Sequence, residues 1–353
     1  MKILLPFLLV FIIVLSFFNA QIVSPMKENF TGKQVTNFQQ IYKENQIEIG
    51  MVGDILLHSP LYNYSSFLPS FANVEEELTN LDFLLANQES IPAGTTFGLS
   101  GYPNFSSPSH IIRDLKAVGF DLISLANNHT LDKKEEGLLA AIETLEANEL
   151  PYIGAHKSLE DQQTERIVEV KDIKLGFLSY TYGLNGHRVP EGKEYLVNII
   201  NNVQMEQDIQ SLRKKVDVVV VSIHWGEEYT LEPNQNQREL AHLLANAGAD
   251  IIFGHHPHVI QPYEKITTSK GESHVFFSLG NFFSAQQFDS TNIGGIAKLQ
   301  ITKREVQDKV MIRIENPSFT GTIVSKGNPY KVSLLEEVNS QKNDWVQQHI
   351  LGE

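Results

Sequence analysis

The chain has 353 residues, 42% apolar and 20% charged, and these proportions are typical of a globular protein with a sizeable core. It has no cysteine, which excludes disulfides, thiolate metal ligands and a cysteine nucleophile. Its formal net charge of -14 makes nucleic acid a poor partner, because nucleic acid is bound by basic surfaces. An anionic ligand would have to be held locally, by a metal or by a few donors.

The N-terminal residues are typical of a secretion signal. Lys2 precedes an uncharged run of sixteen residues from Ile3 to Phe18. This run is longer than most signal-peptide cores and shorter than the ~20 residues that span a membrane. We therefore predict an extracytoplasmic protein, secreted or membrane-anchored, with residues 1–20 as a signal peptide or a retained anchor. Residues 21–45 are polar and aperiodic and are predicted to form a stalk.

Apolar runs and helical periodicities alternate from residue 46 onward. Strands are predicted at 47–52, 81–86, 121–125, 166–170, 173–180 and 216–223, and helices at 74–79, 108–118, 134–148, 203–214 and 236–247. Further strands are predicted at 251–253, 258–266, 274–279, 295–303 and 309–316, with little helix. Alternation of this kind predicts a layered α/β fold. We place the main domain at 46–290, and strands that complete it, with a tail, at 291–353.

Side chains that can bind a metal follow five of the apolar runs. They are Asp54, Glu89, the series Asn127, Asn128 and His129, then His224, and finally His255, His256 and His258. Ligands in layered α/β folds collect outside strand ends, so we expect these five loops to form one site. Imidazole, carboxylate and amide oxygen suit Mn, Fe or Zn better than Ca. Two such cations ~3.5–4 Å apart would polarise a phosphoryl oxygen and activate a bridging water.

Six short motifs occur in order along the chain. They are Val52-Gly53-Asp54, Asn87-Gln88-Glu89, Ser124 to His129, His224-Trp225-Gly226-Glu227-Glu228-Tyr229, Gly254 to Gln261, and Ser278 to Phe282. Together they resemble the CapA/PgsA family of bacterial poly-γ-glutamate capsule biosynthesis proteins, which is similar to calcineurin-like metallophosphoesterases. The resemblance covers residues 47–285. It implies an α/β fold of the calcineurin-like type, a four-layer αββα sandwich with mixed sheets.

The resemblance also implies a function and partners. The function is poly-γ-glutamate capsule synthesis or export, with a divalent-metal site of the phosphoesterase type that holds one or two ions. Membrane-embedded synthetase or export subunits are the implied partners. An anionic polymer or a phosphoester is the implied substrate.

Individual roles follow from the same resemblance. Metal ligands are matched by Asp54, Asn128, His224, His256 and His258, and Glu89 stands where related phosphoesterases place a bridging carboxylate. His129 matches the catalytic histidine that contacts the substrate phosphate or protonates the leaving group. Four residues are expected beside the ligands or facing the substrate: His58, His255, Asn127 and Asn281. Glu227 and Glu228 are interpreted as structural or rim residues.

The chain departs from the family pattern at the first ligand motif. Leu56 occupies the histidine position of the superfamily's Asp-x-His, and His58 is a possible substitute. Because this motif lacks one ligand, the metal that it would bind, the first of the two, is expected to be weakly held or absent. Two alternatives therefore stay open: a secreted metal-dependent phosphoesterase unrelated to capsule, and a non-catalytic scaffold subunit with a vestigial metal site.

Overall fold

The computed structural model describes residues 42–286, 288–306 and 309–352. The predicted signal or anchor and residues 21–41 of the predicted stalk lie outside the described residues. The first strand begins at Tyr42, so the last residues assigned to the stalk are strand. No helix in the described part of the chain is both long and apolar enough to span a membrane.

Fourteen strands are formed by the described residues. They are β1 (Tyr42–Leu56), β2 (Phe83–Gln88), β3 (Leu122–Ser124), β4 (Tyr152–Ile153), β5 (Arg166–Val170), β6 (Ile173–Thr181), β7 (Val218–His224), β8 (Ile251–His255), β9 (Ile260–Thr268), β10 (Gly271–Leu279), β11 (Asn281–Ser284), β12 (Ile293–Val306), β13 (Lys309–Ser325) and β14 (Lys331–Leu334). β7 is buried along its whole length. The continuous apolar sequence of β7 is therefore what a parallel strand in the middle of a sheet requires.

Nine α-helices lie within the same described ranges. They are α1 (Leu68–Phe71), α2 (Glu75–Thr79), α3 (Ile111–Ala117), α4 (Lys134–Ala147), α5 (Leu159–Gln163), α6 (Asn202–Leu212), α7 (Gln235–Ala247), α8 (Leu335–Val338) and α9 (Ser340–Leu351). α7 begins with a capping box between Asn234 and Gln237 and ends at Gly248, which adopts a left-handed conformation. Local sequence thus sets both ends of this helix.

Two mixed sheets organise the strands. The first has the order β14-β13-β12-β1-β2-β3-β4, with β11 also paired to β1, and the second has the order β5-β6-β7-β8-β10-β9. β1 to β4 run parallel, as do β6, β7, β8 and β10. The carboxyl ends of parallel neighbours therefore meet at one edge of each sheet.

In the described part of the chain, three apolar cores separate four layers. The central core joins the two sheets, with Met51 and Leu85 from the first and Val220 and Phe253 from the second. A second core packs α3 and α4 on the outer face of the first sheet. A third packs α6 and α7 on the outer face of the second sheet. The predicted αββα layering with mixed sheets is therefore confirmed.

The chain separates into two units by its internal contacts. The larger comprises Asn45–Lys303 and Met311–Glu353 and contains the layers described above. The described residues of the smaller are 42–44, 304–306, 309 and 310. These residues are strand ends, among which Arg304 pairs with Glu44 at 2.6 Å.

The C-terminal part contains elements that the sequence did not predict. The short strands β11 and β14 extend the first sheet, and much of the predicted tail is the helix α9. Val346 and Ile350 of α9 are buried in the core between the sheets. The predicted domain boundaries themselves stay a prediction.

His156, which follows β4, provides a test of acid sensitivity away from the candidate site. Burial lowers its pKa to about 4, and the nearby Asp161 offsets this only in part. An unfolded histidine titrates near ~6.5. Between these values the unfolded chain binds more protons, so folding stability is present above ~6.5 and falls as the pH drops toward 4.

We expect His156→Gln to reduce this acid sensitivity. The loss of unfolding free energy between pH 7 and pH 4.5 should become smaller by about 2 kcal/mol, measured by urea unfolding. His242→Gln, at an exposed position of α7, serves as the control. An equal acid loss in His156→Gln and the native chain would contradict the prediction.

Candidate metal centre

The candidate site lies where the carboxyl ends of the parallel strands of the two sheets converge. In the first sheet, Asp54 on β1 is in register with Asn87 on β2 and with Asn281 on β11. In the second sheet, His224 on β7 is in register with His255 on β8. We predicted that Asp54, Asn87, His224 and His255 follow strands, but each strand continues through its polar residue, and Asn281 is the first residue of β11.

Close packing of two backbone segments positions Asp54. A Cβ atom on Gly53 would lie 2.2 Å from the carbonyl oxygen of Gly280, so only glycine fits there. The amide N–H of Asp54 donates to the same oxygen at 2.8 Å. The Gly-Asp pair of the first motif is thus required by packing as well as by chemistry.

Among the described residues, three overlapping groups of side chains could each hold a metal ion. They are Glu89, His224 and His256; Asp54, Glu89 and His258; and Glu228, His256 and His258. Within each group the ligand atoms lie within 4.8 Å of one another. All members are buried except Glu228, which is exposed. Because Glu89, His256 and His258 each belong to two groups, the three groups form one continuous cluster.

Glu89 provides the test of whether a cation fits this cluster. Its side chain is 0% exposed, and neither carboxylate oxygen has a hydrogen-bond partner among the described residues. Its Oε1 lies 3.5 Å from Nε2 of His224 and 3.7 Å from Nε2 of His258. These distances are too long for hydrogen bonds. They fit ligands of one cation, since atoms ~2.1 Å from a tetrahedral metal lie ~3.4 Å apart.

The pKa values show the electrostatic cost of this arrangement. Burial raises the pKa of Glu89 to about 8, although His258 acts in the opposite direction. For His258, burial would lower the pKa, but Glu89 and Asp54 raise it to about 9. Burial lowers the pKa of His224 well below its usual value and that of His256 to about 2. Two neutral imidazoles beside a donor-free carboxylate therefore suit a divalent cation.

Asp54 is held by several protein donors. Its Oδ1 accepts hydrogen bonds from Nδ2 of Asn87 at 2.8 Å and from Nδ1 of His255 at 3.0 Å. Its Oδ2 accepts the amide N–H of His256 at 3.2 Å and lies 3.4 Å from Nδ1 of His258. Burial would raise the pKa of Asp54, but His255 and His258 hold it well below the usual range. Asp54 therefore orients residues 255–258, called the histidine loop below, and could also offer an oxygen to a metal.

The histidine loop adopts an uncommon backbone conformation. His256 and His258 have φ values of 97° and 57°, in the left-handed region that favours glycine. Such strain persists only where the surrounding structure imposes it, and it clusters at functional sites. The strained loop turns two neighbouring imidazoles, with ring centroids 5.9 Å apart, into the same cluster.

Asn281 fixes the orientation of His258. Its Nδ2 donates to the carbonyl oxygen of Thr291 and to Oε1 of Gln286, both at 2.9 Å. The Oδ1 atom of Asn281 must therefore be the acceptor toward Nδ1 of His258, 3.1 Å away. This bond places a proton on Nδ1 and directs Nε2 toward Glu89, as is usual for a metal-binding histidine.

Asn128 lies directly beside His224. Its Oδ1 is 2.9 Å from Nε2 of His224, while its Nδ2 donates to Oδ1 of Asn185 at 3.3 Å. The amide oxygen thus faces the cluster. This is the orientation that the predicted role of Asn128 as a metal ligand requires. Asn127 instead connects loops: its Nδ2 donates to the carbonyl oxygen of Gln88 at 3.0 Å.

His129 forms a buried pair with Asp132. Nδ1 of His129 lies 2.7 Å from Oδ2 of Asp132, which also accepts the amide N–H of Phe105 at 2.6 Å. The amide N–H of His129 donates to Oδ1 of Asn127 at 3.0 Å. Asp132 therefore fixes the ring and leaves Nε2 as the atom available for proton transfer. The sequence interpretation missed Asp132, although a carboxylate three residues after a histidine was a usable signal.

His58 and His255 lie beside the ligand groups. Nδ1 of His58 bonds to the carbonyl oxygen of Leu56 at 3.0 Å, and burial lowers the pKa of His58 to about 4. His58 belongs to none of the three groups found among the described residues, and its role in place of the ligand missing at Leu56 stays a prediction. His255 contacts Asp54 through Nδ1, and its buried Nε2 has no partner among the described residues.

Tyr182 borders the cluster and was also missed. Its ring centroid is 4.7 Å from that of His256, and its side chain is 44% exposed. Burial raises the pKa of Tyr182 to about 12, although a hydrogen bond with Asn128 acts in the opposite direction. The tyrosine thus presents a neutral hydroxyl and an aromatic face at the solvent side of the site.

These features define an α/β protein with two mixed sheets and a buried histidine–carboxylate cluster that could hold a divalent metal. The chain belongs to the family of bacterial capsule synthesis proteins PGA_cap, whose model matches residues 48–286. The predicted family is thereby confirmed.

Curated relatives agree with this assignment. The chain is 26% identical over 333 residues to the PGA biosynthesis protein CapA of Bacillus subtilis (strain 168), covering 89% of this chain and 83% of that protein. It is also 26% identical over 311 residues to the capsule biosynthesis protein CapA of Bacillus anthracis, covering 82% of this chain and 74% of that protein.

Solved structures give a weaker likeness. A novel phosphatase from Mycoplasma pneumoniae has a TM-score of 0.45 and 15% identity, covering 78% of this chain and 95% of that chain. A 5'-nucleotidase precursor from Thermus thermophilus has a TM-score of 0.46 and 13% identity, covering 82% of this chain and 54% of that chain. Since both scores are below 0.5, the fold assignment rests on the sheet order and the three cores.

Proposed function

We propose that this protein acts in the synthesis or export of a poly-γ-glutamate capsule and hydrolyses a phosphoester at a divalent-metal centre. The capsule role is supported by the family match and by the names of the two Bacillus relatives. The metal chemistry is supported above all by one observation: the buried, donor-free carboxylate of Glu89 between His224 and His258.

The residues divide into ligands and groups that act on the substrate. The cluster would hold one or two ions through Glu89, His224, His256 and His258, with Asp54 and Asn128 beside them. A divalent cation bound there would supply Lewis-acid polarisation of a phosphoryl oxygen. His129, oriented by Asp132 through Nδ1, would donate a proton from Nε2 to the leaving oxygen when its ring is doubly protonated.

An extracytoplasmic location belongs to the same proposal. The uncharged run from Ile3 to Phe18 supports export, with the chain either secreted or anchored in the membrane. A capsule role further suggests membrane-embedded synthetase or export subunits as partners. The net charge of -14 suggests that a polyanionic product would be approached through a bound cation rather than a basic groove.

Capsule formation in cells is the direct test. A strain that lacks this chain should regain capsule when supplied with the native chain, but not with Asp54→Asn combined with His129→Ala. The double variant removes one carboxylate of the cluster and the proton-transfer group. Capsule formation by that variant, at native abundance, would overturn the enzymatic proposal.

A non-catalytic scaffold is the second candidate, favoured by two observations. Asp54 already has three protein donors, and Leu56 occupies the position of a ligand in the superfamily pattern. A scaffold subunit would support capsule formation without hydrolysing a phosphoester. The purified full-length chain would then hydrolyse neither phosphomonoesters nor phosphodiesters in the presence of Mn²⁺, while the double variant would still support capsule formation.

A further inference from the structure

Glu228 occupies an unusual place in the ligand cluster. It is the exposed member of the group that it forms with His256 and His258, whereas the other members of all three groups are buried. It belongs to the loop after β7, in the second sheet, whereas the ligand position left unfilled at Leu56 belongs to β1 in the first. A carboxylate at this place can reach both the buried histidines and the solvent.

The backbone holds the Glu228 loop against the histidine loop. The amide N–H of Tyr229 donates to the carbonyl oxygen of Pro257 at 2.8 Å, and that of Trp225 donates to the carbonyl oxygen of His255 at 3.1 Å. Nε2 of Gln261 donates to the carbonyl oxygen of Thr230 at 2.7 Å. Three hydrogen bonds therefore fix residues 225–230 along residues 255–261, and Glu228 lies within the fixed stretch.

The same loop adopts left-handed backbone conformations on both sides of Glu228. Gly226 has a φ of 88°, and a Cβ atom there would lie 2.7 Å from the Gln237 side chain. Tyr229 has a φ of 64°, a left-handed conformation that a bulky aromatic residue rarely adopts. Together with His256 and His258, three non-glycine residues in the two facing loops are left-handed. Such clustering is typical of a loop shaped for a ligand.

Charge balance also favours a third carboxylate. Two divalent cations would bring four positive charges, whereas Asp54 and Glu89 supply two negative charges. The remaining charge would lie at a buried site, where uncompensated charge is costly. Glu228 would supply the third negative charge on the solvent side of the cluster.

We propose that Glu228 is a metal ligand that completes, with His256 and His258, a second, solvent-accessible cation subsite. This inference deepens the proposed function and rests on its metal centre. The cation at this subsite is the more exchangeable one, because its carboxylate ligand is exposed.

Glu227 offers a matched control. It is adjacent, exposed and of the same charge, but it belongs to none of the ligand groups among the described residues. Its Oε1 accepts a hydrogen bond from Nδ2 of Asn234 at 3.4 Å. Replacing either glutamate by glutamine therefore changes the net charge equally, and a difference between the variants reports on the ligand position.

The experiment is Mn²⁺ binding by the purified full-length chain, stripped of metal beforehand. Free Mn²⁺ is counted by paramagnetic resonance, and affinity is measured by calorimetry. We expect Glu228→Gln to lose one bound ion or to bind it at least ~10-fold more weakly, while Glu227→Gln matches the native chain. Circular dichroism of the metal-free variants verifies that each one folds.

The contrary outcomes are distinguishable. If Glu228→Gln binds Mn²⁺ as the native chain does while His256→Ala loses it, the role of Glu228 is overturned and the metal centre stands. If the native chain itself binds no Mn²⁺, both the inference and the proposed function fail. Equal weakening in the two glutamate variants would show a general charge effect and would also overturn the inference.

Discussion

Replacing Glu89 by glutamine should abolish tight binding of divalent cations while leaving the metal-free protein at least as stable as the native chain. Glu89 belongs to two of the three ligand groups, so its loss should weaken Mn²⁺ binding at least ~100-fold. In the metal-free state its buried carboxylate has no donor among the described residues, and a neutral amide of equal size removes that penalty. The unfolding free energy should therefore stay unchanged or rise by about 1–3 kcal/mol.

Two measurements examine the Glu89 variant separately. Calorimetric titration with Mn²⁺ reports the loss of affinity, and urea unfolding in the presence of a chelator reports the metal-free stability. The opposite signs separate a ligand from a structural residue, which would lower both quantities when replaced. Native-like Mn²⁺ affinity, or a metal-free variant that unfolds more easily, would argue against a ligand role for Glu89.

Asp132→Asn should slow phosphoester hydrolysis by at least ~100-fold for substrates with poor leaving groups. Asp132 accepts from Nδ1 of His129, and an asparagine can present an N–H there instead. The histidine would then lose the carboxylate that stabilises its doubly protonated form, which is the form that can donate a proton from Nε2. Because a good leaving group needs little protonation, hydrolysis of a nitrophenyl ester should fall far less than that of an alkyl ester.

The leaving-group comparison identifies the role of the His129–Asp132 pair. Asp114→Asn is the matched control, because the buried Asp114 likewise accepts a backbone N–H, from Phe67, but does not contact His129. Mn²⁺ affinity should be native-like in both variants. An equal loss of rate for alkyl and nitrophenyl esters would indicate that Asp132 supports the fold instead of proton transfer.

Patterns within one element were sufficient to predict most of the layered fold. The valine-rich run of β7 predicts a buried parallel strand, and the apolar spacing of α4 predicts an amphipathic helix. The ligand-bearing loops were predictable for a related reason. Polar residues at the ends of buried strands in a layered α/β fold must converge at one edge.

Elements that depend on distant partners were not predictable in the same way. β11 has only four residues, and its strand conformation depends on pairing with β1, more than two hundred residues earlier in the chain. α9 is stabilised by two apolar residues packed between the sheets rather than by a strong local pattern. Both elements are set by tertiary contacts, which a local pattern does not contain.

Within the candidate site, the individual roles depended on side-chain direction. Sequence spacing placed His58 four residues from Asp54, but its ring is turned to the backbone of Leu56. Glu228 was interpreted as a structural or rim residue, because its approach to His256 and His258 depends on contacts between two loops. Spacing along the chain therefore identified the cluster but not the side chains that complete it.

The position of β1 has a consequence for how this protein is made. β1 lies in the interior of its sheet, between β2 and β12, and also pairs with β11. On a ribosome, β1 and β2 emerge early, whereas β11 begins only at Asn281 and β12 at Ile293. One edge of β1 thus stays open through most of synthesis, and open edges invite pairing with other chains. The first described strand to be translated is among the last to be completed, so folding cannot proceed strictly from the N-terminus onward.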